Sequence, residues 1–490
     1  MKQKPILQTA GFIVSKKQAE LDLKIIKYDI WATIAHVLML NKQNLLDSEK
    51  TKKILNALVE IEKEVKTGNF VIDPNKGAQL TLETKIVEKA GDSGYSMHTG
   101  RSRNDQIAVA ELLYLREEIL EVFEALKQVM EQLLMLSKKY QYSVMPGYTH
   151  MQPAKPTVVS EWALAYLNAF VRASEALKFY YELYDINPLG ACEGYGTAWN
   201  LDREYTTKLL AFKKVWEIPQ DAISSRGFAQ YNYLHAFSEI SLIASKIAQD
   251  LILFNTFEFN MVSLGEEVAQ RMHPITGSSV MAQKKNPDVL ELIRATNPQI
   301  VGLAGIAGNI LSALPMGYNR DSREVKEYME MGYTKTLAVL RTLKVVLQTL
   351  EFNEDRMKEL VINNYSLTTD LADYIAKKTN IGYRLIYKIV GQVVDKAIHE
   401  EIMVSDISSG EIVNEAKKLN INLDLKGINI KKITEPNAAI RRRYDQEYLN
   451  KHYKNAKKEM ETIAEWTKER KTSIASAYDQ VKKLVDNILA

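Results

Sequence analysis

The stretch Gly277-Ser278-Ser279-Val280-Met281-Ala282-Gln283-Lys284-Lys285-Asn286-Pro287-Asp288 gathers a glycine, two hydroxyls, two ammonium groups and an amide between a turn and a helix start. Such a segment offers backbone N–H groups, side-chain donors and a potential base to a single anion. The chemistry that needs this set is removal of a proton beside a carboxylate. That step loads a second negative charge onto the carboxyl group, and the product survives only among preorganised donors and cations. Lys284 and Asn286 supply them. Pro287 suits a first helical turn, with Asp288 and Glu291 behind it, so loop N–H groups and a helix N-terminus can face the anion together. Lys-Lys-Asn-Pro alone would read as a basic surface loop; the whole segment carries the chemistry.

Two further clusters hold groups of matching type. Met97-His98-Thr99-Gly100-Arg101-Ser102-Arg103-Asn104-Asp105-Gln106 opens a long helical stretch, with Ser102 or Asn104 suited to capping it. Arg103 beside small donors suits fork-like recognition of a carboxylate. Met145-Pro146-Gly147-Tyr148-Thr149-His150-Met151-Gln152-Pro153 is a proline-bounded corner carrying a histidine, which titrates near neutrality and can act as acid or base. Taken singly, the first is an ordinary helix cap and the second a structural histidine.

Long helices must position these clusters. Residues 104–144 contain neither Gly nor Pro, and Leu112, Leu115, Ile119, Val122, Leu126, Val129, Leu133 and Leu136 recur at alternating three and four. This is a coiled-coil-like seam on a helix of roughly 50 Å. Residues 157–184 and 228–263 are two more glycine-free stretches; residues 288–314, interrupted by Pro298, and 322–350 complete five. No strand pattern alternates with them, so the fold class is all-α: three mainly helical domains around a central bundle of five long helices. The divisions fall at 1–102, 103–364 and 365–490. Trp31, Ile34, Val37, Leu38 and Asn41 mark an early helix, and a lysine-rich tail from Tyr444 forms one or two amphipathic helices. Helices this long overhang a monomer, which predicts a closed homo-oligomer.

Bulk composition excludes other classes. Lys plus Arg number 64 against 61 Asp plus Glu, a formal charge of +3 over 490 residues, so no concentrated basic face points to nucleic acid. The single cysteine, Cys192, rules out an intrachain disulfide and any cysteine-rich metal site, and fits a reducing compartment. The basic opening at residues 1–5 is followed by an apolar run broken by Gln8, Thr9 and Ser15, which lacks a signal-peptide core. A cytoplasmic protein without a membrane span is expected.

In this order and spacing the three motifs resemble argininosuccinate lyase, within the fumarase and aspartase superfamily. Gln283-Lys284-Lys285 separates that branch from fumarase, aspartase and adenylosuccinate lyase. The resemblance covers residues 95–330 and weakens beyond both ends. It implies a homotetramer with a twenty-helix core, active sites built from three subunits, no metal and no organic cofactor. The implied reaction splits argininosuccinate into arginine and fumarate by anti β-elimination through an aci-carboxylate, a step of arginine biosynthesis.

Carried over, Ser278 is the base that takes the Cβ proton, and Lys284 and Asn286 stabilise the aci-carboxylate. His150, oriented by Glu291, assists proton transfer at the leaving nitrogen. Ser102, Arg103, Asn104 and Thr149 grip the substrate's carboxylates, with Ser279 and Gln283 of the loop as further binding groups. Tyr318, Arg323 and Lys326 fall on the amine side.

The chain departs from the family's pattern at several points. Ala282 stands where the loop usually has proline, and Lys76-Gly77-Ala78-Gln79 stands where Glu-Asp-Ile-His is expected. Arg323 replaces an amide, Val325 replaces an acid, and Ser224-Ser225-Arg226-Gly227 replaces Ser-Asp-Arg-Asp. The proton-abstraction groups are untouched; the changes fall on the amine side and would favour a less cationic or more carboxylated leaving group. A carbon-nitrogen lyase releasing fumarate from a different N-substituted aspartate is therefore the second expectation. A non-catalytic, crystallin-like scaffold is the third.

Overall fold

The computed structural model describes residues 15–490 together with Phe12; the basic opening and the breaks at Gln8 and Thr9 lie outside the described residues. Seventeen helices dominate what is described, with only two-stranded sheets between them, so the all-α expectation holds. α1 (Lys16–Lys42) is capped by Ser15, whose hydroxyl accepts from the Gln18 N–H, and its second half is buried on nearly every face. Trp31, Ile34, Val37 and Leu38 all lie inside it. α2 (Ser48–Lys66) and α3 (Gly77–Ala90) pack beside it.

α4 (Arg103–Lys139) is the long helix read from the sequence. A reciprocal cap between Ser102 and Asp105 starts it, and all eight seam residues from Leu112 to Leu136 are buried. At ~1.5 Å per residue it spans roughly 55 Å. The corner after it is a β-hairpin: β1 (Val144–Thr149) pairs antiparallel with β2 (Gln152–Val158). α5 (Val159–Leu183) returns along α4, and α6 (Arg203–Leu209) and α7 (Pro219–Ser224) lead into α8 (Phe228–Phe254). α9 (Asp288–Leu311), with Pro298 inside it, and α10 (Val325–Thr349) complete a bundle in which α8 against α9 is the most extensive contact.

The third long helix stops at Phe254, short of the expected Ser263. Asn255 turns its amide to the Val262 carbonyl (3.0 Å), Thr256 bonds back to Leu253 (2.9 Å), and Asn260 is left-handed. Val262–Ser263 then pairs with Glu351–Phe352.

α11 (Glu354–Asn363) packs on β1. α12 (Thr368–Thr379), α13 (Tyr383–His399), α14 (Ser409–Lys418) and α15 (Ile430–Ile433) close around a second core that includes Leu371, Ile389 and Ile412. α16 (Pro436–Arg441) precedes α17 (Gln446–Leu489), one unbroken helix of 44 residues. α17 leaves that second core and lies along α4 and α5, burying Ile463, Ala477 and Val481 in the main one. No helix among the described residues is long and apolar enough to cross a membrane.

The helix directions sort the molecule into two ends. Ser241 meets Asn297, and Leu311 lies against Gly227, so α9 runs antiparallel to α8. Trp162, just after the hairpin, touches Phe254 and Asp250 near the end of α8. The hairpin, the end of α8 and the start of α9 therefore share one end. The cap of α4, the second half of α1 and the starts of α8 and α10 share the other: Arg101 meets Thr33, Arg226 approaches Glu111, and Tyr318 packs with Ala108.

Candidate active site

The segment before α9 is held at its base and open at its tip. Lys285 Nζ donates to the Leu264 carbonyl (2.6 Å) and approaches Glu266 (3.3 Å), which makes it an anchor. Gly277 N–H bonds to His273 O (2.8 Å), Asn286 N–H bonds to Thr276 O (3.1 Å), and Gly277 bridges to Lys285. A β-carbon at Gly277 would overlap the backbone of Met272 and His273, so only glycine fits there.

Next to this glycine, Ser278 Oγ accepts hydrogen bonds from the N–H groups of Val280 (3.2 Å) and Met281 (2.9 Å). Two donors on an oxygen favour its anionic form, which is the form a serine base must reach. Lys284 and Asn286 engage no side-chain partner among the described residues, and α9 begins at Pro287 without a side-chain cap. Donors thus stand beside a helix N-terminus that no side chain caps. Ser279, Gln283 and Glu291 are exposed, and Val280 at the tip is 87% exposed.

At the same end, His150 and Met151 form the two-residue turn of the hairpin, both left-handed at φ 54° and 60°. For non-glycine residues this conformation is costly, by about 1 kcal/mol or more each. The turn is built on a bulge at Gly147, where a β-carbon would overlap the Lys155 carbonyl, and Tyr148 packs edge-on against Phe259 (5.8 Å). Thr149 and His150 point to solvent without a side-chain partner. The expected pairing of His150 with Glu291 is not made within one chain: each stands exposed on its own element.

The remaining candidates occupy the other end. Ser102 Oγ accepts from the Asn104 N–H (3.3 Å), and Ser102 N–H donates to Asp105 (3.0 Å), so Ser102 is the cap while its hydroxyl proton stays available. Arg103 is exposed without a partner, and Asn104 Nδ2 donates to the Glu193 carbonyl (3.3 Å). Beneath them lies Arg101, buried, donating to Thr33 Oγ1 (2.9 Å). Burial pushes the Asp29 and Asp105 carboxyls up to about 6 against the opposing pull of Arg101. Burial first, and then the Arg101 charge, depress His98 to about 4 and keep His36 neutral, its Nε2–H on Thr99 O (2.9 Å).

Of the residues expected on the amine side, Tyr318 is half-buried with the Arg226 guanidinium 4.9 Å over its ring. Arg323 Nη2 bonds one oxygen of Asp22 (2.8 Å) and Lys326 Nζ bonds the other, with Asp22 and Lys326 both buried. The positive charge read at Arg323 is thus directed onto a carboxylate rather than left open. Gln18 completes the group by donating to Glu324 (2.8 Å). Sequence reasoning missed Asp22 and Gln18; the available signal was polar side chains on a helix whose other faces are apolar.

One chain brings Ser102, Arg103, Asn104, Tyr318, Arg323 and Lys326 to one end, and Ser278, Lys284, Asn286, Thr149 and His150 to the other. The length of α4 separates the two groups, roughly 55 Å. A site using both groups requires residues of more than one copy.

The family model described as lyase matches residues 13–302, and the argininosuccinate lyase C-terminal model matches residues 365–439. The chain is similar to argininosuccinate lyase of Syntrophus aciditrophicus, 35% identical over 391 residues, which covers 80% of this chain and 81% of the relative. It is 34% identical over 420 residues to argininosuccinate lyase of Methanocaldococcus jannaschii, covering 85% and 83% of the two chains. In fold it resembles EDDS lyase in complex with formate, with a TM-score of 0.86 at 23% identity over 99% of this chain and 97% of the other.

Proposed function

The chain belongs to the argininosuccinate lyase family and is a carbon-nitrogen lyase of that type, and from that premise we propose that it cleaves argininosuccinate to arginine and fumarate. The observation that carries this reading is the Ser278 hydroxyl, with two backbone N–H groups on its oxygen and the unpartnered Lys284 and Asn286 in the same loop. Ser278 takes the Cβ proton, and the electron pair moves into the adjacent carboxylate. Lys284, Asn286, the loop N–H groups and the start of α9 meet the charge that develops there. The pair then returns from the carboxylate to form the carbon-carbon double bond as the carbon-nitrogen bond breaks on the face opposite the abstracted proton, and His150 of another copy assists proton transfer to the leaving nitrogen.

Ser102, Arg103, Asn104, Thr149, Ser279 and Gln283 hold the succinyl carboxylates; Tyr318 and Lys326 hold the amine half, with Arg323 fixed beside them by Asp22. The assembly is a homotetramer whose long helices form a twenty-helix core, acting in the cytoplasm in arginine biosynthesis. Each protomer divides at 1–102, 103–364 and 365–490. The two-ended placement of the candidate residues supports an assembly in which copies run antiparallel.

A second reading rests on a specific observation. The buried Lys326 and the half-buried Arg323 set two cations against the single carboxylate of Asp22, a surplus of positive charge that suits an amine bearing an additional carboxylate. The two readings separate by following fumarate through its ultraviolet absorbance, first from argininosuccinate and then in reverse, from fumarate with a panel of amines. Turnover of argininosuccinate establishes the first; turnover with another amine alone establishes the second. A folded oligomer silent with every amine would make the chain a scaffold. Ser278→Ala should abolish turnover and leave assembly intact; an active variant would remove Ser278 from the role of base.

A further inference from the structure

The loop between Asn187 and α6 lies across the cap end and is tied down at several points. Asp105 Oδ2 accepts from Gly190 N–H (2.9 Å) and Cys192 N–H (3.1 Å), and Asn104 Nδ2 reaches the Glu193 carbonyl (3.3 Å). Further along, Leu201 and Trp199 crowd Gly100, where a β-carbon would stand 3.0 Å and 3.3 Å from them. The Tyr195 hydroxyl lies 3.3 Å from the corresponding point on Gly317, the residue before Tyr318. The loop therefore bridges the Ser102–Asn104 motif and the Tyr318 turn, which are the carboxylate and amine sides of the proposed site.

Between these ties the loop presents Glu193 and Tyr195 to solvent. Tyr195 is 69% exposed although both flanking glycines are more enclosed. Glu193 is exposed and forms no ion pair among the described residues, Arg103 included; its carboxylate meets the Cys192 thiol and its own backbone N–H. The neighbouring Cys192 thiol, and then its own backbone N–H, hold the Glu193 carboxyl below the usual range, so it is fully charged at neutral pH. A carboxylate and an aromatic ring are the two groups by which a protein recognises a flat cation, and here they stand two residues apart on a backbone pinned at both sides. The carboxylate takes the in-plane N–H donors and the ring takes the face.

We propose that Glu193 and Tyr195 are specificity-determining residues that hold the cationic end of the amine, with a guanidinium as the group they fit. The inference rests on the lyase reading and deepens it: it places on this loop the negative charge that the sequence around Arg323 and Val325 lacks. It also separates the work of the amine half, with the Asp22-bound cations facing the carboxylate of the amine and Glu193 facing its positive end.

The test is calorimetric binding of arginine and of citrulline, its uncharged ureido counterpart, to the intact oligomer with fumarate present, every protein carrying Ser278→Ala to prevent turnover and being otherwise wild-type except where stated. The wild-type protein should prefer arginine by roughly tenfold, the worth of one charge-assisted contact. Glu193→Gln should erase that preference, Glu193→Asp should keep most of it, and fumarate affinity should not move in either. Tyr195→Ala should weaken arginine binding, while Tyr195→Phe should not. A wild-type protein that treats the two amines alike, or a Glu193→Gln variant that still discriminates, overturns the inference. Failure of the lyase reading shows separately, as absence of fumarate release from any N-substituted aspartate, whatever the ratio of the two affinities.

Discussion

Ser278 and His150 are under different physical constraints, and the difference yields distinct expectations. The Ser278 oxygen sits at the focus of two backbone N–H groups, so its acidity is a property of the loop's path and not of a neighbouring base. His150 sits in a left-handed turn position that asparagine occupies more readily. His150→Asn should therefore leave thermal stability unchanged or slightly higher while lowering kcat by about 10²–10⁴, the usual worth of a positioned acid or base. A parallel loss of stability and activity would make His150 a structural turn residue. Both residues were legible in the sequence as chemistry-bearing types in a marked setting. The left-handed strain at His150 was not, because it depends on the hairpin register.

Elements decide whether those residues can work. The loop ahead of α9 keeps its shape through Gly277, Thr276 and the Lys285 anchor, while its tip from Val280 to Lys284 stays open. Gly277→Ala forces a β-carbon into the Met272–His273 backbone, so it should cut turnover at least tenfold with little change in the global unfolding midpoint, a pairing that activity and thermal melts would check.

Within the bundle, α4 places Glu118 against Glu330 of α10 with almost no exposure. Burial, and after it the Glu330 charge, raise the Glu118 carboxyl to about 9. Its folded value lies above its unfolded one of about 4.3, so the stabilisation it gives is complete below that value and drains away as pH rises to about 9. Glu118→Gln mimics the protonated form. Its stability advantage over the wild type should grow with pH up to about 9 and then level off in denaturant titrations at successive pH values. A constant difference across that range would mean that Glu118 is ionised throughout.

At the scale of the whole molecule, the roughly 55 Å length of α4 keeps the Asn104 group from the Ser278 and His150 group of the same chain. Two inactive variants should therefore complement each other. Mixed and reassembled Ser278→Ala and Asn104→Ala chains should regain a fraction of wild-type turnover, because some sites then draw every residue from an unaltered copy. Dilution below the point of dissociation should abolish activity, read by turnover alongside sedimentation. Recovery of no activity in confirmed mixed oligomers would place the site within one chain.

The sequence by itself determined the long helices and the chemistry of the loop. An unbroken seam from Leu112 to Leu136 admits one helical face, a Ser102–Asp105 cap starts that helix, and a glycine, two hydroxyls and two lysines before a proline need few other contexts. These are local signals, written in spacing and residue type. Tertiary structure alone decided that Asp22 would claim Arg323 and Lys326 across 301 and 304 residues, that Glu193 would lie beside Asn104, and that the candidate groups would divide between two ends. No period or motif encodes such meetings. They follow from which helix faces pack together, and that choice belongs to the whole core.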